Sequence, residues 1–461
     1  MNVVKALRCD QGASRSSVST QNACKLCAPL GASVVFRGIE NCVPLIHGSQ
    51  GCSTYIRRYV ISHFREPIDI ASSNFSESTA IFGGGDNLKT ALDNLTRQYG
   101  PAAIGIATTC LSETIGDDVR LYISQYRKER EGHAIPSIIH ASTPSYSGTH
   151  MDGFHAALRA TVEALAEGGA RESEINLLPG FVSAEDLRHL KEVLSDFGIA
   201  FNMLPDYSET LDGESWTDYQ KLSAGGTPIQ SIRRMGRTLA TIQLGRGLGT
   251  ARSAAAYLEE AWGVRALTLG LPIGIRETDR FFEALTEVTG RAVPLKYRKE
   301  RGRLVDSYID GHKYIFGKRA VIYGEADFVA AMAAFLDEIG MVPALCATGA
   351  ATARVRETIL PTLEHSNPEN VQVLEDADFV GILEVCRAIG PDIVIGNSKG
   401  YFLSKKLGIP LVRVGFPIHD RIGGQRILHT CYRGTQQLFD RIVNALMEAG
   451  QESSEVGYSY I

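Results

Sequence analysis

The sequence lacks the features that mark membrane-spanning, secreted and nucleic-acid-binding proteins. No apolar run approaches the roughly 20 residues that a helix needs to cross a bilayer, and the N-terminal segment MNVVKALRCDQGASRSS has no signal-peptide core. The net charge is −5 and the pI about 6.2, whereas nucleic-acid-binding surfaces are basic. We therefore expect a cytoplasmic protein with no membrane span and no nucleic-acid partner.

Two common enzyme signatures are also missing. The segment GRGLG at Gly245–Gly249 lacks the full dinucleotide fingerprint and its acidic residue, so it predicts a tight turn. A nicotinamide-dependent dehydrogenase is therefore not expected. No Ser–His–Asp arrangement is visible either. We assign no catalytic residue to this chain.

The sequence does contain a regular alternation of short apolar runs and amphipathic stretches. Runs such as CVPLI from Cys42 and RAVIYG from Arg319 are typical of buried parallel strands, and SAEDLRHLKEVLSDFG from Ser183 is typical of a helix. The alternation predicts α/β domains built on doubly wound parallel sheets. A length of 461 residues suits about three such domains. The predicted division is an N-terminal arm over 1–23, α/β domains over 24–170, 171–311 and 312–434, and a C-terminal helix and tail over 435–461.

Cysteine is unevenly distributed, since five of the nine cysteines lie within the first 52 residues. In a long cytosolic chain these are not expected to form disulfides. Cys52 ends HGSQGC just after one predicted strand, Cys110 ends TTC just after another, and Cys27 in CKLCAPLGA precedes the first. Strand ends of one parallel sheet lie side by side, and a helix that begins there stabilises a thiolate. The three sulfurs can therefore converge.

Thiolate ligands of this kind select an iron–sulfur cluster or zinc, and the residues alone leave both open. The CxxC of Cys24 and Cys27 is half of a zinc knuckle, but no second CxxC and no HxxxH follows. A thioredoxin-like use needs a strand before the pair, and here the pair precedes the first strand. The remaining cysteines are expected to be small buried apolar residues: Cys9, Cys42, Cys346, Cys386 and Cys431.

At these segments the chain resembles the nitrogenase component 1 superfamily, and the resemblance covers nearly the whole sequence. The matching segments occur in order: CAPLGA, HGSQGC, HFREP, IFGGGDN, TTCLSETIGDDV, TPSYSGTH, PIGIRETDRF, ERGRLVD, IGNSKG and RVGFPIHDR. The resemblance implies three Rossmann-like α/β domains and an oxidoreductase subunit.

The resemblance is to the β-type chains, and it implies a site. Cys27, Cys52 and Cys110 fall where a β chain supplies three ligands to an [8Fe-7S] P-cluster shared with an α-type partner. Thr149 falls where a serine can bind the oxidised cluster, and Phe82 falls where the ATP-dependent iron protein docks. An α2β2 heterotetramer is implied. Electrons would pass from the iron protein through the P-cluster to an iron–sulfur cofactor in the α-type partner.

Differences between this sequence and each subfamily of the superfamily indicate which subfamily it resembles most. Molybdenum nitrogenase β chains usually carry a longer N-terminal extension, and vanadium and iron-only β chains tend to read CQPAGA and HGGQGC where this chain reads CAPLGA and HGSQGC. The β-like chain of the cofactor-assembly scaffold commonly lacks a cysteine at the position of Cys110. The best fit is to the methylthio-alkane reductases, which implies reductive C–S cleavage of volatile organic sulfur compounds to methanethiol and hydrocarbons. The alternatives are a nitrogenase β chain for dinitrogen reduction and a scaffold subunit.

Overall fold

Three parallel sheets, each flanked by helices, form the framework of the chain. The computed structural model describes residues 23–247, 253–350 and 354–455, and the pairings between its strands are all parallel. Parallel strands are covered on both faces, which is why they read as continuous apolar runs. The predicted α/β class is confirmed.

The first sheet carries the cysteine-bearing loops. Its strands are β1 (Cys42–His47), β2 (Ala71–Ser72), β3 (Ala103–Thr108) and β4 (Ser137–Ala141), in the order β2-β1-β3-β4. Its helices are α1 (Ala28–Arg37), α2 (Gln50–Phe64), α3 (Glu77–Phe82), α4 (Gly85–Tyr99), α5 (Cys110–Thr114), α6 (Val119–Glu129) and α7 (His150–Leu165). The connections after β1, β3 and β4 leave the same edge, because parallel strands point the same way.

The second sheet follows along the chain. Its strands are β5 (Glu174–Leu178), β6 (Ala200–Met203), β7 (Ala240–Leu244) and β8 (Arg265–Leu269), in the order β6-β5-β7-β8. The helices of this region are α8 (Ala184–Asp196), α9 (Ile229–Arg234), α10 (Ala254–Trp262) and α11 (Ile275–Thr289). The predicted helix after Ser183 is present, and the Ser183 side chain caps it by accepting a hydrogen bond from the N–H of Asp186.

The third sheet has five strands. They are β9 (Arg319–Gly324), β10 (Val342–Thr348), β11 (Gln372–Leu374), β12 (Ile393–Gly396) and β13 (Leu411–Arg413), in the order β11-β10-β9-β12-β13. The accompanying helices are α12 (Leu295–Ile315), α13 (Ala326–Glu338), α14 (Val355–Ile359), α15 (Phe379–Ile389), α16 (Tyr401–Leu407) and α17 (Cys431–Ser453). In the described part of the chain, no helix combines the length and apolarity needed to span a membrane.

The predicted domain boundaries remain predictions, and two of them fall within helices. The boundaries placed after Gly311 and Gly434 lie inside α12 and α17. A Cβ added to Gly311 would lie 2.4 Å from the Phe439 ring, so this glycine allows α12 to pack closely on α17 and does not end a helix. Residues 1–22 with Cys9, residues 248–249 of the predicted turn and tail residues 456–461 lie outside the described residues.

Candidate metal centre

Cys52 and Cys110 follow neighbouring strands of the first sheet. Strands β1 and β3 pair in parallel along their length, so the loops after them leave the sheet at the same level. Thr109 Oγ1 donates a hydrogen bond to the carbonyl oxygen of His47 at 3.1 Å. A Cβ added to Gly48 would lie 2.4 Å from Thr109 Oγ1, so a glycine is needed for the two loops to touch.

Cys27 reaches the same edge through the packing of α1 on α7. The N–H of Leu26 donates to His150 Nδ1 at 3.4 Å, and the N–H of His150 donates to the Leu26 carbonyl oxygen at 3.0 Å. A Cβ added to Gly31 would lie 1.7 Å from the His150 carbonyl oxygen. The two helices therefore approach closely, and this contact fixes the loop that carries Cys27 beside the segment that leads into α7.

Ser145 joins the loop of Cys27 to that of Cys110. Its N–H donates to Cys110 Sγ at 3.2 Å. Its hydroxyl oxygen accepts a hydrogen bond from the N–H of Ala28 at 3.0 Å, and the hydroxyl is near enough to the Cys27 thiol to lower its pKa. Ser145 is thus a common neighbour of two of the predicted ligands.

The three thiols stand where helices begin, and free N–H groups there favour negative charge. Cys27 is the N-cap of α1, Cys52 the third residue of α2 and Cys110 the first residue of α5. The pKa of Cys27 is nevertheless raised overall, because burial is the largest cause; the Ser145 hydroxyl lowers it, the neighbouring Cys110 and Cys52 raise it, and the Tyr55 hydroxyl lowers it. The sulfurs are therefore close enough to influence each other's ionisation.

The two cysteines of the CxxC do not act as a pair. Cys24 is buried in the apolar core beside the third sheet, among residues that include Tyr323 and Phe379, and burial raises its pKa to about 12. Cys27, in contrast, is half-buried and hydrogen-bonded at the loop edge. The expected burial of further cysteines is found at Cys42, Cys346, Cys386 and Cys431.

The donor set suits a cluster better than a single ion. Among the described residues, no three His, Cys, Asp or Glu side chains come close enough to hold one metal ion. Structural zinc needs four ligands around one ion, and the described residues show no such group. An iron–sulfur cluster binds its thiolates at different iron atoms, and helix N-termini and N–H donors to sulfur suit its anionic ligands. Three such thiolates are what Cys27, Cys52 and Cys110 offer.

Thr149 lies at the N-cap of α7, where its hydroxyl is already engaged. Its Oγ1 accepts a hydrogen bond from the N–H of Met151 at 3.2 Å and donates one to Asp152 Oδ2 at 3.0 Å. The residue is buried, with 4% of its surface exposed. A bond from this oxygen to iron would therefore have to replace a helix cap. Its role as a ligand stays a prediction.

Phe82 is the last residue of α3 and is 86% exposed, next to Ile81, which is 75% exposed. We call these two side chains the α3 patch. The segment after the patch is tied to the cysteine-bearing edge, because Asp117 Oδ1 accepts from the N–H of Gly84 at 3.0 Å and its Oδ2 pairs with His47 Nε2 at 3.0 Å. The patch is thus free to contact a partner and is linked to the loop that precedes Cys52.

Comparison with known proteins identifies the family. The family described as "Nitrogenase component 1 type Oxidoreductase" matches residues 27–447. This chain belongs to that family. It is 38% identical over 434 residues to the nitrogenase molybdenum-iron protein beta chain of Clostridium pasteurianum, with 93% of each chain covered. It is 33% identical to the corresponding chain of Azotobacter vinelandii, covering 94% of this chain and 86% of that one. It is 34% identical to the nitrogenase vanadium-iron protein beta chain of Trichormus variabilis, covering 91% and 92%.

Solved structures agree with this assignment to the family. A chain described as "Nitrogenase Cp1 at pH 6.5" superposes with a TM-score of 0.92 at 35% identity, covering 100% of this chain and 98% of that one. A chain described as "Nitrogenase Cp1 at pH 5" gives 0.69 at 18% identity, a likeness of fold alone. The predicted superfamily and β type are confirmed, and the chain is an oxidoreductase subunit of component 1.

The comparison with relatives weakens the expectation that this chain differs from the molybdenum nitrogenase β chains. The Clostridium relative is a molybdenum-iron β chain that matches over 93% of both lengths, so a long N-terminal extension is not a mark of that whole branch. The relatives named above are nitrogenase β chains. They therefore support the alternative interpretation of the sequence better than the first expectation, a methylthio-alkane reductase.

Sequence reasoning assigned no role to several residues that shape the site. Ser145 and Tyr55 lie in or beside the family segments TPSYSGTH and HGSQGC, so their position was a usable signal. Asp117 lies in TTCLSETIGDDV, but only the fold reveals its bond to His47. Lys399 lies in IGNSKG on a turn next to the third sheet, and no local pattern indicates that it reaches the first.

Proposed function

We propose that this chain is one half of a cluster-bearing interface, with Cys27, Cys52 and Cys110 as its ligands to an [8Fe-7S] P-cluster shared with an α-type partner. The observation that carries the proposal is the convergence of three helix starts at one sheet edge, where Ser145 hydrogen-bonds the Cys110 thiol and lowers the pKa of the Cys27 thiol. When bound, the cluster would accept and release electrons. This chain would supply thiolate ligands and the hydrogen bonds that steady them.

The partial exposure of the three thiols supports a cluster site that is shared with a second chain. Cys27 and Cys52 are half-buried in this chain and Cys110 is exposed. The ligands and the shell around an iron–sulfur cluster control its solvent access and its reduction potential. Three thiolates at an open edge leave one side of such a cluster uncovered, so a second chain must supply the remaining ligands and the cover. An α2β2 assembly of two such pairs follows from the family resemblance.

The α3 patch supports the direction of electron entry. Ile81 and Phe82 lie on the surface and would meet the ATP-dependent iron protein, while Asp117 and His47 hold the following segment to the cluster edge. Burial lowers the pKa of His47 and the nearby Asp117 raises it again, and the net effect is a lowered value. The imidazole is therefore largely neutral near pH 7, and docking would act on a firmly bonded loop.

For the substrate, we propose dinitrogen reduction in the α-type partner, because the relatives compared above are named as nitrogenase β chains. Methylthio-alkane reduction is the second candidate. It rests on the sequence alone, where CAPLGA and HGSQGC stand in place of the CQPAGA and HGGQGC that are typical of vanadium and iron-only β chains. An assembly scaffold that never turns over substrate would hold a simpler [4Fe-4S] cluster, for which Cys110 is not needed.

The test is anaerobic co-purification with the α-type partner, followed by iron analysis and two assays in the presence of the iron protein. Ammonia from dinitrogen supports the first candidate, and ethylene from a methylthio-ethanol substrate supports the second. Iron matching a P-cluster supports both, whereas one cubane per interface and no turnover supports the scaffold. A complex without iron at the interface contradicts the proposal as a whole.

A further inference from the structure

Lys399 places a positive charge from the third sheet beside the cluster edge of the first. It lies in a short 3-10 turn, Ser398–Gly400, that follows β12. Its Nζ donates a hydrogen bond to the carbonyl oxygen of Ala23 at 3.0 Å, four residues before Cys27. The side chain is half-buried, so its ammonium group is held against the segment that leads to Cys27.

An aromatic pair connects this amine to the Cys27 thiol. Lys399 Nζ lies 5.9 Å from the centre of the Tyr59 ring, within the range of a cation–π contact. The Tyr59 and Tyr55 rings are 4.7 Å apart, and the Tyr55 hydroxyl is near enough to the Cys27 thiol for each group to shift the other's pKa. The order along this row is therefore ammonium, ring, ring and thiol.

The charge of Lys399 is not cancelled by a carboxylate at contact distance. In the described part of the chain, none of the ion pairs within 4.0 Å includes Lys399, and Glu325 instead pairs with His150 at 3.0 Å. The pKa of Lys399 is lowered overall, because burial, the largest cause, outweighs the neighbouring Cys24, Glu325 and Cys27, which act to raise it. A charge held in a weakly screened interior acts over a longer distance than one in water.

We propose that Lys399 sets the reduction potential of the shared cluster by holding an unpaired positive charge behind Cys27 and its aromatic neighbours. Adding an electron makes the cluster more negative, and a fixed cation nearby stabilises that state. Lys399 touches neither the iron nor its ligands, so it is a positioning residue that acts through electrostatics. The proposal rests on the proposed function, since it requires a cluster at this edge.

A purely structural role is the competing explanation, because the bond to Ala23 also ties the Cys27 loop to the third sheet. Two substitutions separate the roles. Lys399→Gln removes the charge and keeps a hydrogen-bond donor, whereas Lys399→Arg keeps both. Lys25→Gln is the matched control, because Lys25 is only two residues from Cys27 but pairs with Asp376 at 2.6 Å on the surface. An exposed, paired charge is screened and contributes little.

The experiment is a potentiometric titration of the co-purified complex, followed by cluster spectroscopy, with iron content measured for every variant. We expect Lys399→Gln to keep its iron and to shift the midpoint potential to more negative values, with Lys399→Arg and Lys25→Gln close to wild type. An unchanged potential in an iron-replete Lys399→Gln complex overturns the proposal, and so does an equal shift in Lys399→Arg.

If Lys399→Gln loses iron, Lys399→Met provides a second neutral variant with a similar shape, and a potential equal to wild type in that complex overturns the proposal. Iron loss from both neutral variants, with retention by Lys399→Arg alone, assigns Lys399 to a structural role and also overturns it. A wild-type complex that carries no interface cluster has a different meaning, because that result contradicts the proposed function itself.

Discussion

Replacing Gly48 by alanine should separate the two loops that carry Cys52 and Cys110. The new Cβ would lie 2.4 Å from Thr109 Oγ1 and 2.5 Å from its Cγ2, so Thr109 must move. Thr109 caps α5 by accepting from the N–H of Ser112 and also donates to the His47 carbonyl oxygen. Loss of a cap costs about 1 kcal/mol, and loss of a buried hydrogen bond costs about 1 kcal/mol.

Local hydrogen exchange measures this effect better than global unfolding, because a chain with several domains does not unfold in one step. A local loss of about 2 kcal/mol corresponds to roughly 30-fold faster exchange of the α5 amides, since 1.4 kcal/mol is a factor of ten. The Ser112 amide reports directly, and the iron content of the complex should fall as the loops part.

Gly51→Ala is the matched control for this prediction. Gly51 lies in the first turn of α2, and an added Cβ there would meet only Ser49 Oγ at 3.7 Å, an ordinary contact. Its α5 amides should exchange as in wild type, because alanine is accepted in a helix. Equal exchange in Gly48→Ala and Gly51→Ala would refute the argument that the two cysteine-bearing loops are in contact.

Three further predictions address the ligands, the docking patch and acid stability. Cys52→Ala should lower interface iron and abolish electron delivery, because a shared cluster would lose a ligand; full activity with wild-type iron content would count against the ligand set. Phe82→Ala should weaken coupling to the iron protein while iron content stays intact, and a loss of iron would show that Phe82 has another role. Burial lowers the pKa of His63 to about 3, whereas an unfolded histidine titrates near 6.5. In that pH window the unfolded state binds the proton and the folded state does not, so stability should rise from pH 3 to 6.5, and His63→Gln should flatten this rise in denaturation measured across pH. An unchanged slope would mean that His63 is not the group responsible.

The sequence was sufficient to predict the elements with continuous apolar runs. CVPLI and RAVIYG became β1 and β9, since central strands of a parallel sheet are buried on both faces and their pattern needs no long-range information. Strands β2 and β11 have two and three residues, too few for any periodicity to show. Gly311 looked like a boundary because glycine often ends a helix, but its role is set by a ring on another helix.

At the site, too, local sequence predicts some features, whereas others depend on long-range packing. The proximity of Cys52 and Cys110 could be predicted, because both follow strands of one sheet and parallel strand ends share an edge. The link through Ser145 and the approach of Lys399 could not, since each depends on how distant segments pack. Thr149 could be matched to a family position, but only the structure shows that its hydroxyl already caps a helix.

The most direct measurement is anomalous X-ray diffraction at the iron absorption edge from crystals of the anaerobically purified complex with the α-type partner. We predict iron peaks at bonding distance from Cys27 Sγ, Cys52 Sγ and Cys110 Sγ, at the boundary between the two chains. Free thiols at these three positions in a complex that contains iron elsewhere would contradict the central claim.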